Sequence, residues 1–197
     1  MTDVIDTLAG IAAGSALDKA RNNRPEARKH AQASYDSLFA PKAFGGVSAQ
    51  ERFAVASFVA GLHGRPETIA FYADKLAGAG VSAELRKAVA AEVTAAKATG
   101  PFGNYPKGPL SVENTTGSIH RVGAEARRVL GPRLASAFEH THMLVFHPRD
   151  AAPPSLQAML DAGWSTTDIV VLSQLVSFLA FQIRVVAGLR VLSARPA

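Results

Sequence analysis

The short connection His63-Gly64-Arg65 brings two residue types that can do chemistry close together in the chain. A neutral imidazole can accept a proton, and a guanidinium can bind a carboxylate through two parallel hydrogen bonds. On the helices predicted to flank this corner, Glu51 lies about three turns upstream and Tyr72 about two turns downstream. We therefore treat Glu51, His63, Arg65 and Tyr72 as candidate catalytic residues. The structural alternative is that His63 and Arg65 cap helix ends and that Glu51 only closes a capping box.

A second group of histidines, His140, His142 and His147, lies beside Glu139 and invites a comparison with metal sites. On a helix, residues two apart point to nearly opposite faces, so His140 and His142 cannot bind one ion together. A helix would place His140 and His147 on one side, which leaves two ligands at most. We predict no metal site and no cofactor, and the role of these three histidines stays open.

The chain contains no cysteine among its 197 residues. This excludes disulfides, zinc–thiolate sites, iron–sulfur clusters and thiol nucleophiles. The net charge of +5 permits an acidic partner, but no basic run is longer than Arg28-Lys29-His30. Nucleic-acid binding is therefore not predicted.

The N-terminus carries two acids, Asp3 and Asp6, where a secretory signal would carry positive charge. The most apolar stretch, residues 169–183, is interrupted by polar side chains and is shorter than the roughly 20 residues of a membrane span. We expect a cytoplasmic protein without membrane contact, in which this stretch forms a buried helix.

Helix start and stop signals divide nearly the whole chain into helices. Pro25 and Pro66 suit first helical positions, and the Ser48-Ala49-Gln50-Glu51 run is a capping box. The irregular stretch 100–117, rich in glycine and proline, is the boundary between two halves and is typical of a functional loop, a lid or an oligomer contact. These start and stop signals predict an all-α fold with helices over 3–19, 25–39, 48–62, 66–78, 82–99, 124–130, 132–146, 154–163 and 165–192.

The two halves show a weak internal repeat at an offset of 117 residues. Gly46, Ser48 and Glu51 align with Gly163, Ser165 and Asp168, and apolar positions such as Leu62 and Leu179 also coincide. Any two capped amphipathic helices share part of this pattern, so the repeat by itself is only suggestive. We interpret the chain as one domain, 1–197, with one helical module at 1–99 and another at 118–193.

The run DAGWSTTDIVVLSQLVSFLAFQIRVVAGLRVL resembles the second helical module of the carboxymuconolactone decarboxylase superfamily, which includes the alkylhydroperoxidase D-like (AhpD-like) proteins. Phe181 and Arg184 match the aromatic and basic positions of that module. The run VSAQERFAVASFVAGLHGRPETIAFYADKL is similar to the other module, so the resemblance covers about residues 45–80 and 155–193. The resemblance implies an AhpD-like multihelical fold and assembly into trimers or hexamers.

At the positions of that family's active-site residues, this sequence has side chains of different chemistry. The family's two cysteines fall on Arg65 and Thr68, its histidine falls on Tyr72, and its relay glutamate falls near Phe53, two residues after Glu51. Arginine and threonine cannot form the thiolate that attacks a peroxide or the thiol that resolves the sulfenic acid. Thiol peroxidase activity is therefore excluded.

The function expected from the sequence is non-thiol decarboxylase, lactone or isomerase-type chemistry on a small anionic organic molecule. The alternative is a non-catalytic oligomeric scaffold or a ligand-binding partner of a cysteine-bearing relative. Because the last helix is apolar on nearly every face, we expect a homo-oligomer (dimer, trimer or hexamer) and place Leu175 and Phe178 at its interface. The sequence does not specify the substrate.

Overall fold

The computed structural model describes residues 3–194 and has no β-strand in this range. The predicted all-α class is confirmed. The α-helices are α1 Val4–Ala9, α2 Ala16–Asn22, α3 Pro25–Phe39, α4 Ala49–His63, α5 Pro66–Gly78, α6 Ala83–Ala95, α7 Ala124–Phe146, α8 Pro153–Asp161 and α9 Thr166–Ser193, with short 3-10 turns at Pro109–Glu113 and Pro148–Asp150.

Helix α4 is the centre of the fold and packs against α5, α6, α7 and α9. It begins with the predicted capping box, in which the Ser48 hydroxyl accepts from the Glu51 amide at 3.2 Å and the Glu51 carboxylate accepts from the Ser48 amide at 2.8 Å. A run of small and branched apolar residues from Ala54 to Ala60 is almost fully buried. Gly61 lets α6 approach closely, since a Cβ atom at this position would lie 2.4 Å from Cγ1 of Val93.

Helix α9 is the second core helix and opens with the same kind of capping box, formed by Ser165 and Asp168. The starts of α4 and α9 lie in close contact, since Gly46, just before α4, approaches Asp168 of α9 so closely that a Cβ atom on Gly46 would lie 2.3 Å from Oδ1 of Asp168. The two capped helix starts therefore occur at the predicted offset and lie against each other. The predicted apolar stripe of α9 is buried along its whole length: Ile169, Leu172, Val176, Leu179, Ile183 and Val186.

Within residues 3–194, α9 is the one helix long and apolar enough to cross a membrane by length and composition, with a mean hydropathy of 2.0 over its most apolar window. Core helices of compact proteins pass the same test. Its buried stripe packs against α1, α4 and α7, so α9 serves as a core helix of this fold.

Two predicted helix boundaries are wrong. The helix expected over residues 3–19 is two helices, because Gly10 and Gly14 have φ angles of 70° and 77°, in the left-handed region that ends a helix. The helix expected to reach Thr99 ends at Ala95. The two helices predicted on either side of Gly131 are present as α7, which is kinked there by φ 76° and ψ 164° before Pro132.

Candidate functional site

The predicted corner between α4 and α5 forms, with Gly64 at φ 67° turning the chain after His63. His63 ends α4, and Arg65 is the exposed residue immediately before α5. Nε2 of His63 is buried and has no hydrogen-bond partner among residues 3–194. Burial, together with the positive charges of Arg184 and Arg65, lowers the pKa of His63 to about 4. The ring is therefore neutral at pH 7.

His63 lines a cleft of about 560 Å³. Its walls come from four parts of the chain that are remote in sequence: the end of α4, residues 98–101, the end of α7 and the middle of α9. Arg184 enters from α9 and donates from Nη1 to the carbonyl of Ala180 at 3.0 Å. In the described range, neither Arg65 nor Arg184 forms a salt bridge. The cleft thus combines a neutral imidazole with the guanidinium of Arg184, which no described carboxylate neutralises, and Arg65 lies close to His63 outside the lining.

Glu51 does not join this cleft. It lies at the opposite end of α4 from His63, about 18 Å away along the helix axis. Its carboxylate closes the capping box and accepts from Nε of Arg133 at 3.1 Å. This arrangement matches the structural alternative for Glu51, and no sequence signal pointed to its partner Arg133.

Tyr72 is also outside the cleft, since its side chain is 0% exposed in the core. Its hydroxyl donates to Oε1 of Gln182 on α9. Burial raises the pKa of Tyr72 well above its ordinary value, with Tyr35 acting in the same direction and the bond to Gln182 opposing it. Tyr72 therefore stays protonated at neutral pH and serves packing rather than proton transfer. Of the four candidate residues, the structure brings together only His63 and Arg65.

Arg184 is the functional residue whose place in the cleft could not be read from the sequence. The resemblance marked it as a matched position, but its approach to His63 depends on how α9 crosses α4. Thr68, aligned with the second family cysteine, is buried and donates to the carbonyl of Arg65 at 2.9 Å. It stabilises the first turn of α5.

His140 and His142 have different neighbours, as expected for residues two apart on a helix. Nε2 of His140 lies 3.0 Å from Oγ of Ser173, and the ring of His142 lies 5.4 Å from that of His120. His147 lies just after the end of α7, where φ is −126°, and its ring is 5.8 Å from that of His142. His140 and His147 line the same small cavity. Within residues 3–194, no three His, Cys, Asp or Glu side chains are arranged to hold one metal ion.

Comparison with known proteins finds no matching family model, no matching curated protein and no matching solved structure.

Proposed function

We propose that the cleft at the end of α4 binds a small organic anion and that His63 accepts a proton from the bound molecule. The observation that carries this proposal is a neutral, half-buried imidazole whose buried Nε2 has no described partner, beside Arg184 in a cleft where no described carboxylate offsets the guanidinium charge. A carboxylate is the ligand that an arginine binds best, through two parallel hydrogen bonds. Arg65, immediately before the start of α5, adds a second positive charge close to His63.

The proton-accepting role follows from what an anion would do to His63. A base with a pKa of about 4 is weak at pH 7. An anion bound between His63 and the two arginines would offset their charge and raise the pKa of the imidazole. The ligand would then strengthen the base that acts on it. This chemistry suits decarboxylase, lactone or isomerase-type reactions, in which a proton moves near a carboxylate, and it needs no thiol.

Membership in the AhpD-like group is part of the same proposal. It is supported by the two capped helices at the predicted offset and by the corner His63-Gly64-Arg65, which lies where the resemblance places that group's pocket. We also propose that the protein is cytoplasmic, as expected from the sequence.

Calorimetric titration with two simple probes, succinate and benzenesulfonate, tests anion binding. We expect Arg184→Gln to weaken binding at least tenfold and Arg65→Gln to weaken it less, because Arg184 lines the cleft and its charge acts more strongly on His63 than that of Arg65. His63→Gln should keep most of the affinity. The matched control is Arg86→Gln, an exposed arginine on α6. Equal binding by the Arg184→Gln and Arg86→Gln variants would refute the assignment of the cleft.

A homo-oligomeric assembly, with or without catalysis, is the second candidate, and an exposed apolar face supports it. Leu156 and Leu160 on α8 and Val170 on α9 line a groove of about 670 Å³, and Val170 is 55% exposed. Phe181, further along α9, is 48% exposed. The residues placed at the interface from sequence are not on this face: Leu175 and Phe178 are buried within the chain itself. We propose that a second copy of the chain covers the face that contains Val170 and Phe181.

A further inference from the structure

Five titratable side chains form a row between the end of α6 and the segment after α7. Nε2 of His120 lies 2.8 Å from a carboxylate oxygen of Glu92. The His120 and His142 rings are 5.4 Å apart, and the His142 and His147 rings are 5.8 Å apart. Nδ1 of His147 lies 2.9 Å from a carboxylate oxygen of Asp150. We call Glu92, His120, His142, His147 and Asp150 the histidine row.

Each ring nitrogen of His147 faces an oxygen atom. Nδ1 lies 2.9 Å from the Asp150 carboxylate, and Nε2 lies 3.1 Å from the carbonyl of Ser118. His147 therefore joins Asp150 to the backbone at Ser118, and its ring lies directly beside that of His142.

His142, in the middle of the row, is the position where protonation is least favourable. It is 2% exposed. Burial, together with the neighbouring His120 and His147 and against the opposing effect of the Ala96 carbonyl, lowers the pKa of His142 to about 4. His142 is therefore neutral at pH 7.

Among the described residues, no charged group around the row pairs with His142. Glu139, Arg121 and His140 line a small cavity together with His142 and His147. The Glu139 carboxylate is already paired with Arg121 at 3.1 Å and with Arg127, and it accepts from the Val122 amide. Nε2 of His140 lies 3.0 Å from Oγ of Ser173. The two carboxylates of the row, Glu92 and Asp150, contact the outer rings His120 and His147 rather than His142.

The row holds the segment that connects α6 and α7, residues 97–123, which we call the connecting segment. No residue from 104 to 119 is buried, so this part of the segment has little packing of its own. Its attachments run to the row and its neighbours: the Phe102 amide donates to the Phe146 carbonyl at 2.6 Å, Arg149 donates to the Gly103 carbonyl at 3.2 Å, and His147 contacts the Ser118 carbonyl.

The same segment forms one wall of the cleft. Residues 98–101 line the cleft together with His63, and Phe146, whose ring lies 4.9 Å from that of His142, lines it from α7. The ring of Phe146 therefore lies between the histidine row and the cleft.

We propose that the histidine row is a pH-operated clasp, in which protonation of His142 at mildly acidic pH releases the connecting segment and opens the wall of the cleft. A charged His142 ring would lie in a water-poor setting less than 6 Å from two other imidazoles, while the two carboxylates of the row contact those outer rings. Release hydrates the His142 ring and removes this cost. The clasp rests on the row alone, and only the consequence for ligand binding rests on the proposed function of the cleft.

The size of the effect follows from the difference in proton affinity of His142 between the closed and released forms. With a pKa of about 4 when closed and an ordinary histidine value of about 6.5 when released, the ratio of released to closed form increases about 20-fold between pH 7 and pH 5. The released form binds more protons across this range, so acid favours release.

The absence of native cysteine permits a direct test with a single nitroxide label on Val112→Cys, an 89% exposed position in the connecting segment. We expect the ratio of mobile to immobile label in the electron paramagnetic resonance spectrum to increase about 20-fold from pH 7 to pH 5. Fluorescence of Trp164, which is 2% exposed in the core, should stay constant over the same range. His142→Gln should remove the transition, and His30→Gln, an exposed histidine on α3, should leave it unchanged.

Two further variants keep the test independent of whether His142→Gln folds. Glu92→Gln and Asp150→Asn each remove one counter-charge, so release should occur at higher pH. A label mobility that does not change with pH, an unchanged transition in Glu92→Gln and Asp150→Asn, or a Trp164 signal that changes together with the label would overturn the clasp. Loss of benzenesulfonate binding with an intact label transition would overturn the proposed function alone.

Discussion

Binding of an anion in the cleft should raise the pKa of His63, and this shift is measurable without knowledge of the natural substrate. In the free protein the pKa is lowered to about 4 by burial and by the charges of Arg184 and Arg65. Saturation with benzenesulfonate, which stays ionised at every pH used, places a negative charge beside the ring.

The magnitude can be worked from the geometry of the cleft. A unit charge about 5 Å from the imidazole, at an effective dielectric constant of about 20, interacts with the imidazolium by about 3 kcal/mol. This energy corresponds to about two pKa units. We therefore expect the pKa of His63 to increase from about 4 to about 6. At pH 6 the complex should then take up about half a proton that the free protein does not hold.

Nuclear magnetic resonance titration of the histidine ring signals measures the pKa, and the His63→Gln variant assigns the signal. Calorimetry at pH 6 in two buffers of different ionisation enthalpy measures the proton uptake independently. Arg184→Gln alone should raise the pKa of His63, by less than the anion does, because it removes one of the two positive charges. An unchanged or lower pKa of His63 in the presence of saturating benzenesulfonate would refute the proposed role of the ring.

Two further predictions concern stability and assembly. Asp6→Asn should lower the free energy of unfolding in urea by about 1.5–3 kcal/mol, because the buried Asp6 carboxylate contacts both Arg21 and Arg28. Glu26→Gln, in a 69% exposed pair, should change that free energy by less than about 0.5 kcal/mol, and equal losses in the two variants would contradict the role given to burial. Val170→Glu should reduce the molar mass measured by light scattering, while Val112→Glu, at an exposed valine outside the α8–α9 face, should not. A monomeric parent protein at micromolar concentration would contradict the assembly proposed for that face.

The helices themselves could largely be predicted from short stretches of sequence, because their start signals act locally. The Ser48–Glu51 and Ser165–Asp168 boxes and the prolines at 25 and 66 mark the observed helix starts, since each signal involves a hydrogen bond or a backbone angle within four residues. The wrong prediction of a single helix over residues 3–19 has a local cause as well. Gly10 and Gly14 both adopt left-handed angles, and an apolar pattern alone does not reveal which glycine ends a helix.

Only part of the candidate site could be predicted, because some of its contacts join residues that are far apart in the sequence. His63 and Arg65 are joined by one turn of chain, so their proximity follows from the corner. Glu51 lies on the same helix as His63 but at its other end, and its carboxylate pairs with Arg133, 82 residues away in sequence. No spacing rule connects residues that far apart.

The sequence by itself determined the all-α class, the capped helix starts and, through the absence of cysteine, the exclusion of thiol chemistry. These follow from local backbone preferences and from the chemistry of single side chains. The tertiary structure decided that Arg184 rather than Glu51 faces His63, that Tyr72 is a core residue, and that His120, His142 and His147 form one row. Charge and burial act through space, and the crossing of α4, α7 and α9 sets the distances on which both depend.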